Sequence, residues 1–339
     1  MPRRFVVILF VFLSLPLFAY TIAPASGPTT GGTEVTITGD LPELAYGVLF
    51  GSSSALTQRI DAHTLLAITP AHLPGTVEVE IFSLGRILTT DLKFTFVGDV
   101  PSDLERVLLP IFINPVKGQF GSEFVTAFAV QLVRGNSAKI HGLRFRCTFI
   151  CPPIPVDDLA VLLTPQGPRA EVGITPGNIL GGDLVTNGNP GRFLYLPRSE
   201  VANVAMNLRV FDRSRAAQNY GTEIPIVASS RFVDGEDLTL LNVPTDSRFR
   251  STLRIYGTAS GSVRIRLQPD KGAPLDATAT LTAGTNLYEP AVATFTDFPA
   301  NAGLVTVTIR RLDGDAQLWA FVSTTNNDTQ LITTVTPQP

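Results

Sequence analysis

Residues 21–40 read TIAPASGPTTGGTEVTITGD, residues 48–55 VLFGSSSA, residues 65–86 LLAITPAHLPGTVEVEIFSLGR and residues 92–98 LKFTFVG. Val35 and Ile37 alternate with Thr36 and Thr38 before Gly39-Asp40 turns the chain. Period-two patterning that ends in a turn predicts a half-buried strand. Val77, Val79 and Ile81 alternate with Glu78 and Glu80, and Phe94 and Phe96 repeat the pattern. Short strands spaced about eight to twelve residues apart build a small β-sandwich.

Working outward, the whole chain has 339 residues, too many for one ordinary sandwich and suited to two or three domains. Hydrophobic residues make up 44% and charged residues 16%, so the chain can bury large cores and is not of the disordered class. Gly 28 and Pro 26 fit a turn-rich protein. Apolar residues at helical spacing are missing outside the N-terminal run. The expected class is therefore all-β, as tandem sandwiches. A formal net charge of −3, with basic residues scattered singly, offers no stripe to hold a phosphate backbone. No nucleic-acid partner is expected.

Several residues in the opening stretch recur in a known order: Pro24 with Ser26-Gly27, Gly31-Gly32 ahead of a strand, Phe50-Gly51, and Thr69-Pro70 followed by Gly75. In these residues the segment 20–98 resembles the IPT/TIG family of immunoglobulin-like domains. The resemblance implies an immunoglobulin-like sandwich serving as spacer or adhesion module, a fold that carries no chemistry by itself.

Ahead of it, Arg3 and Arg4 precede an apolar run from Phe5 to Phe18 interrupted by Ser14 and Pro16. This is the form of a secretory signal peptide over residues 1–19, with cleavage between Ala19 and Tyr20. An uncleaved anchor is the alternative, but the run is shorter than the roughly 20 residues of a spanning helix. After cleavage no membrane span is expected. The chain should then work secreted, in the periplasm or at the cell surface.

The polar stretch GDVPSDLE (98–105) marks the next boundary. Residues 104–228 then read as a second sandwich, with Phe193 to Pro197 and the alternating Val204, Met206, Leu208 and Val210 among its strands. A strand is also expected from Ile140 to Phe149. Residues 229–336 read as a third sandwich of immunoglobulin or jelly-roll type, its strands including 238–243, 253–255, 263–267, 291–295, 305–309 and 318–322. The second and third units share a rhythm of strands. That rhythm fits a duplication, and it equally fits any two sandwiches.

Cys147 and Cys151 are the only cysteines. In an exported chain a disulfide closing a short loop is expected, with free thiols and a metal site as alternatives. A straight strand would hold residues four apart at about 13 Å, so a bridge requires a bend, which Pro152-Pro153 favours. His141 stands six residues before Cys147, poor spacing for zinc.

Familiar catalytic patterns are missing: no Gly-x-Ser-x-Gly, no His-Glu-x-x-His and no phosphate-cradling loop ahead of a helix. His72 is expected in a solvated turn and His141 at the surface. The carboxylate pairs Asp157-Asp158, Glu236-Asp237 and Asp313 with Asp315 stand where Asp favours turns. Asp234, Glu236 and Asp237, or Asp313 with Asp315, are candidate calcium ligands without an established loop pattern. A pair of distant carboxylates can still make a glycosidase. Sugar platforms need exposed aromatic rings; Trp319 lies mid-strand and reads as core, while Tyr46, Tyr195, Tyr220 and Tyr288 sit near loops that can line a cleft. The reading is an exported, non-enzymatic interaction, adhesion or assembly protein with no cofactor. Its partner would be a protein or glycan at the cell surface, or a second copy of itself. A carbohydrate-binding module is the alternative, and a glycan or peptide hydrolase the third reading.

Overall fold

The computed structural model describes residues 20–43, 45–51, 53–83, 86–111, 116–142, 160–163, 170–173, 191–215, 221–284 and 286–337. Cys147, Cys151, Asp157, Asp158, Tyr220, Ala19, the expected signal segment and the expected strand beyond Gly142 lie outside these residues. The described residues form six sheets and no α-helix, so the chain is an all-β protein of tandem sandwiches. It divides into two compact units, Met1–Pro101 and Ser102–Pro339.

In the first unit, sheet 1 takes Thr21–Ala23, Glu34–Thr38, Thr64–Ile68 and Leu56–Arg59 in that spatial order. Sheet 2 takes Ser26–Pro28, Arg86–Val97, Gly75–Ser83, Ala45–Phe50 and Ser53–Ser54. The first few residues thus serve both sheets, antiparallel to Thr36–Thr38 in one and parallel to Thr95–Val97 in the other. Val35, Ile37, Leu65 and Ala67 from sheet 1 meet Val48, Phe50, Val77, Val79, Phe94 and Phe96 from sheet 2 in one core. Phe50, Phe94 and Phe96 pack edge to face, 4.9–6.2 Å between ring centres. That is the geometry aromatic quadrupoles prefer.

The short motifs of this segment have physical work to do. Gly31 sits at φ 73°, and a Cβ there would come within 2.5 Å of the Pro70 backbone. Only glycine fits both demands. Gly32 N–H then donates to Thr69 O at 2.8 Å, and Thr33 N–H to Thr69 Oγ1 at 3.0 Å. Gly31-Gly32 and Thr69-Pro70 are therefore two halves of one clasp.

One expectation for this segment needs correction. His72 is buried, not solvated: its ring stacks on Phe96 at 4.6 Å and Nδ1 lies 2.8 Å from Leu73 O. Glu80 is covered as well, beside a register shift between Glu78 and Glu80. Burial, then the neighbouring Glu78, raises the Glu80 carboxyl above its ordinary range.

The larger unit holds four sheets. Sheet 3 orders Ala160–Leu163, Ala138–His141, Arg192–Pro197, Leu104–Leu109 and Val227–Ala228. Sheet 4 orders Val116–Lys117, Glu123–Leu132, Val204–Asp212 and Thr222–Glu223, with Ala170–Gly173 also on Glu123–Leu132. Sheet 5 orders Leu238–Pro244, Leu304–Arg311, Gly261–Pro269 and Leu275–Leu281. Sheet 6 orders Ala291–Phe295, Phe249–Gly257, Leu318–Asn326 and Ile332–Val335. Sheets 5 and 6 share a core of Leu240, Val263, Ile265, Val305, Val307 and Ile309 against Leu253, Ile255, Ala320 and Val322. The strand expected over 238–243 is interrupted by a bulge: Asn242 takes φ 62°, the register shifts between Leu240 and Val243, and Leu241 faces outward.

Part of sheet 6 is covered on both faces, as the unbroken burial of Leu318–Phe321 indicates. Its second face carries Tyr256, Trp319 and Phe321, ring centres 5.6–6.4 Å apart. The Tyr256 hydroxyl donates to Pro110 O in the preceding residues. Phe193 N–H donates to Tyr288 O at 2.7 Å and the Tyr195 hydroxyl to Leu287 O at 2.7 Å. Sheets 3 and 6 are thus joined through side chains as well as backbone. His141, expected at the surface, is buried beside Tyr195 in sheet 3. Arg192 is buried in the same layer; its Nε donates to Gly142 O at 2.7 Å and its guanidinium lies 5.3 Å from the Tyr288 ring centre. Burial draws its pKa down to about 10, so it keeps its charge at neutral pH.

Candidate functional site

Where sheets 4 and 6 diverge, the larger unit opens a cleft of about 610 Å³. One wall is the strand Phe249–Gly257. Leu253 and Ile255 point into the core of sheets 5 and 6, so period-two alternation turns Arg250, Thr252 and Arg254 to the other face. The ladder sets Thr325 opposite Arg250, Ser323 opposite Thr252 and Phe321 opposite Arg254. Thr325 and Ser323 also line the cleft. The facing wall brings Val116, Gly118, Gln119, Phe124 and Val210.

Two loops form the rim. Thr245, buried, clamps one of them: its Oγ1 donates to Gly303 O at 2.8 Å and accepts from Ala302 N–H at 3.0 Å, while Asn301 N–H donates to Thr245 O at 2.9 Å. This holds Phe298, Pro299 and Ala300 at the cleft edge. The other loop is the hairpin 118–122, closed by Gly118 N–H to Ser122 O at 2.9 Å and Ser122 Oγ–H to Gln119 O at 2.7 Å. At its tip Phe120 takes φ 55° and leaves its ring 63% exposed, an unusual conformation for a large side chain. The Arg250 guanidinium lies 5.6 Å from that ring's centre, within cation–π range.

Charge in the cleft is uneven. Arg250 donates to two neutral amide oxygens, Asn327 Oδ1 at 2.5 Å and Gln330 Oε1 at 2.9 Å. Arg254 donates to Ser323 Oγ at 2.7 Å and stacks 6.0 Å from the Phe321 ring centre. Burial lowers the pKa of both. The aspartate in the lining, Asp246, gives its carboxylate to Arg248 at 3.0 and 3.3 Å. That interaction holds its pKa below the ordinary carboxylate range.

Of the carboxylates singled out from sequence, the described ones lie near one end of sheet 5, three of them taken up by neighbours. Asp237 is chelated by Arg310, Asp234 pairs with Arg311 at 2.9 Å, and Asp313 accepts from Ser262 N–H at 2.6 Å. Among the described residues no group of three or more His, Cys, Asp or Glu is placed to hold a metal. Of the tyrosines expected near loops, Tyr195 and Tyr288 are buried between sheets 3 and 6 rather than lining a cleft. Trp319 is buried, as a mid-strand position predicts. Sequence reading missed Phe120, Arg250 and Arg254. The one available signal was a large aromatic set among turn residues in KGQFGS (117–122).

The fold so described defines a class: an all-β, multi-sandwich protein opening on an immunoglobulin-like domain. Residues 17–96 match the model of the IPT/TIG domain, and this part of the chain is an IPT/TIG domain. A search of curated proteins finds no match. Similar solved structures include a surface glycan-binding protein, PbSGBP-B, from Prevotella bryantii, at 9% identity over 92% of this chain and 94% of that one, TM-score 0.19. Another is the SGBP-B of a Bacteroides ovatus mixed-linkage glucan utilization locus in complex with a heptasaccharide, at 10% identity over 86% and 72%, TM-score 0.18. A third is InvD of Yersinia pseudotuberculosis, at 10% identity over 94% and 97%, TM-score 0.19. Superpositions this loose carry no argument about function.

Proposed function

We propose that the chain is an exported, non-catalytic binding protein whose cleft between sheets 4 and 6 holds a saccharide, with the IPT/TIG domain as spacer. The observation that carries this reading is the lining: hydroxyls of Thr252, Ser323 and Thr325, the Gln119 amide and two guanidinium groups beside Phe298, with the exposed ring of Phe120 next to Arg250 at the rim. Sugars are recognised by polar groups that match their hydroxyls together with an apolar ring face. Export is inferred from the basic start and apolar run of residues 1–19, with cleavage before Tyr20. Tyr20 already belongs to the folded domain, its hydroxyl donating to Asp40 O at 2.9 Å.

The test is to isolate the protein from producing cells, weigh it, and titrate it with oligosaccharides while following release of reducing ends. A mature mass starting at Tyr20, saturable binding and no turnover are expected, with Phe120→Ala weakening binding about tenfold, the range for a lost stacking contact. Turnover, or binding indifferent to changes in the cleft, would overturn the reading. A second reading, assembly through sheet edges, is favoured by Leu56–Arg59, an edge strand on which Leu56 is 79% exposed. Concentration-dependent self-association abolished by Leu56→Lys would select it.

A further inference from the structure

We infer that the cleft is built for an acidic oligosaccharide, its carboxylates received by Arg250 and Arg254. The inference rests on the saccharide reading above and deepens it. A neutral sugar needs donors and acceptors in rough balance; this wall presents two cations on one strand and, among the described residues, no carboxylate hydrogen-bonded to either. Among the described residues the hydrogen-bond acceptors of the two guanidiniums are neutral: Asn327, Gln330 and Ser323. The Arg254 environment includes the Tyr256 phenol, which burial keeps protonated. Asp246, the acidic side chain in the lining, is already engaged by Arg248.

A guanidinium withdrawn from water without a counter-charge is costly, and it is a planar fork suited to a carboxylate. Arg254 has five donors, and Ser323 takes one of them. Its guanidinium carbon lies 6.0 Å from the Phe321 ring centre, so the ring and Ser323 both favour its present position. Arg250 and Arg254 are four positions apart on one face of a strand, about 13 Å between Cα atoms at ordinary strand rise. Two cations so spaced along a hydroxyl-lined wall match charges carried on separate residues of an extended sugar chain. A small free anion would need both cations on one point. An acidic peptide supplies the same charge, but the row of hydroxyls from Thr252, Ser323 and Thr325 beside the cations favours a ligand that is itself rich in hydroxyls.

The experiment is calorimetric titration of the mature full chain with an oligogalacturonate, a neutral galacto-oligosaccharide of equal length and an oligoglutamate. The oligogalacturonate should bind at least about tenfold more tightly than the neutral sugar at low salt. Raising sodium chloride to about 0.5 M should shrink that preference, because exposed charge pairs are screened. Arg250→Gln and Arg254→Gln should each reduce the acidic-over-neutral ratio about tenfold. Should Arg254→Gln not fold, as its melting curve would reveal, the ratio in the native protein and in Arg250→Gln decides. Equal affinity for acidic and neutral sugars would overturn this inference and leave the saccharide reading standing. No sugar binding, or preference for the oligoglutamate, would overturn both.

Discussion

Asp212 ends one strand of sheet 4 and fastens the start of another. Its Oδ1 accepts from Glu123 N–H at 2.8 Å, Ser214 N–H at 3.0 Å and Ser214 Oγ–H at 2.6 Å, and Oδ2 is paired with Arg215. Burial alone would raise its pKa; the hydrogen bonds from Ser214, Glu123 and Arg215 more than offset this, and the net shift is downward. A carboxylate held below its unfolded value of about 3.9 contributes stability that is complete above that value. The contribution is lost as pH falls through the lower, folded pKa. Asp212→Asn should therefore cost about 1.5–3 kcal/mol at neutral pH and flatten the loss of stability below about pH 4. Urea unfolding of both proteins between pH 7 and pH 2.5 measures this; parallel curves would sink it. Little of this was legible beforehand. Asp212 follows an alternating strand, Val204 to Val210, and nothing in sequence says which distant amides it meets. His72 failed for a similar reason: a loop bounded by prolines reads as wet, whereas its ring completes the aromatic core beside Phe96.

At the scale of elements, alternation tells which residues share a face but not how many faces are covered. Leu253 and Ile255 announced the core side of Phe249–Gly257, and the strands of both identified sandwich cores fell near where periodicity put them. The other face was silent, although LWAF (318–321) offered a hint, since runs without alternation belong to sheets buried on both sides. Tyr256 tests the point. Its phenol is fully buried, its ring lies against Trp319 and Phe321, and its hydroxyl reaches Pro110 O. Tyr256→Phe should cost about 1–2 kcal/mol by leaving a buried carbonyl without its donor, and Tyr256→Ala about 3–5 kcal/mol. Values within 0.5 kcal/mol of the parent, measured by denaturant unfolding, would mean that this face is wet.

For the molecule as a whole, the units divide between Pro101 and Ser102, inside the polar stretch 98–105. The first unit has a core of its own. Within the larger one, sheet 6 belongs to one core through Leu253 and Ile255 and to a second layer through Tyr256 and Phe321, so its sandwiches should unfold together. Scanning calorimetry of the mature chain should show two transitions, and Tyr256→Phe should lower only one of them. Three separable transitions would show that sheets 3 and 4 melt independently of sheets 5 and 6. Composition could place turns, but not this coupling, because cooperation between sandwiches depends on which outer faces find each other.

A sheet whose second face is packed at one end and walls a cleft at the other also limits how such a chain can be rearranged by recombination. Joining residues 102–339 to an unrelated leading domain would carry the cleft across intact, since both of its walls travel together. A break near residue 228 would leave Tyr256, Trp319 and Phe321 facing water and would separate Arg250 from the hairpin bearing Phe120. The inheritable piece is therefore the pair of sandwiches, and the first domain is the part free to be exchanged.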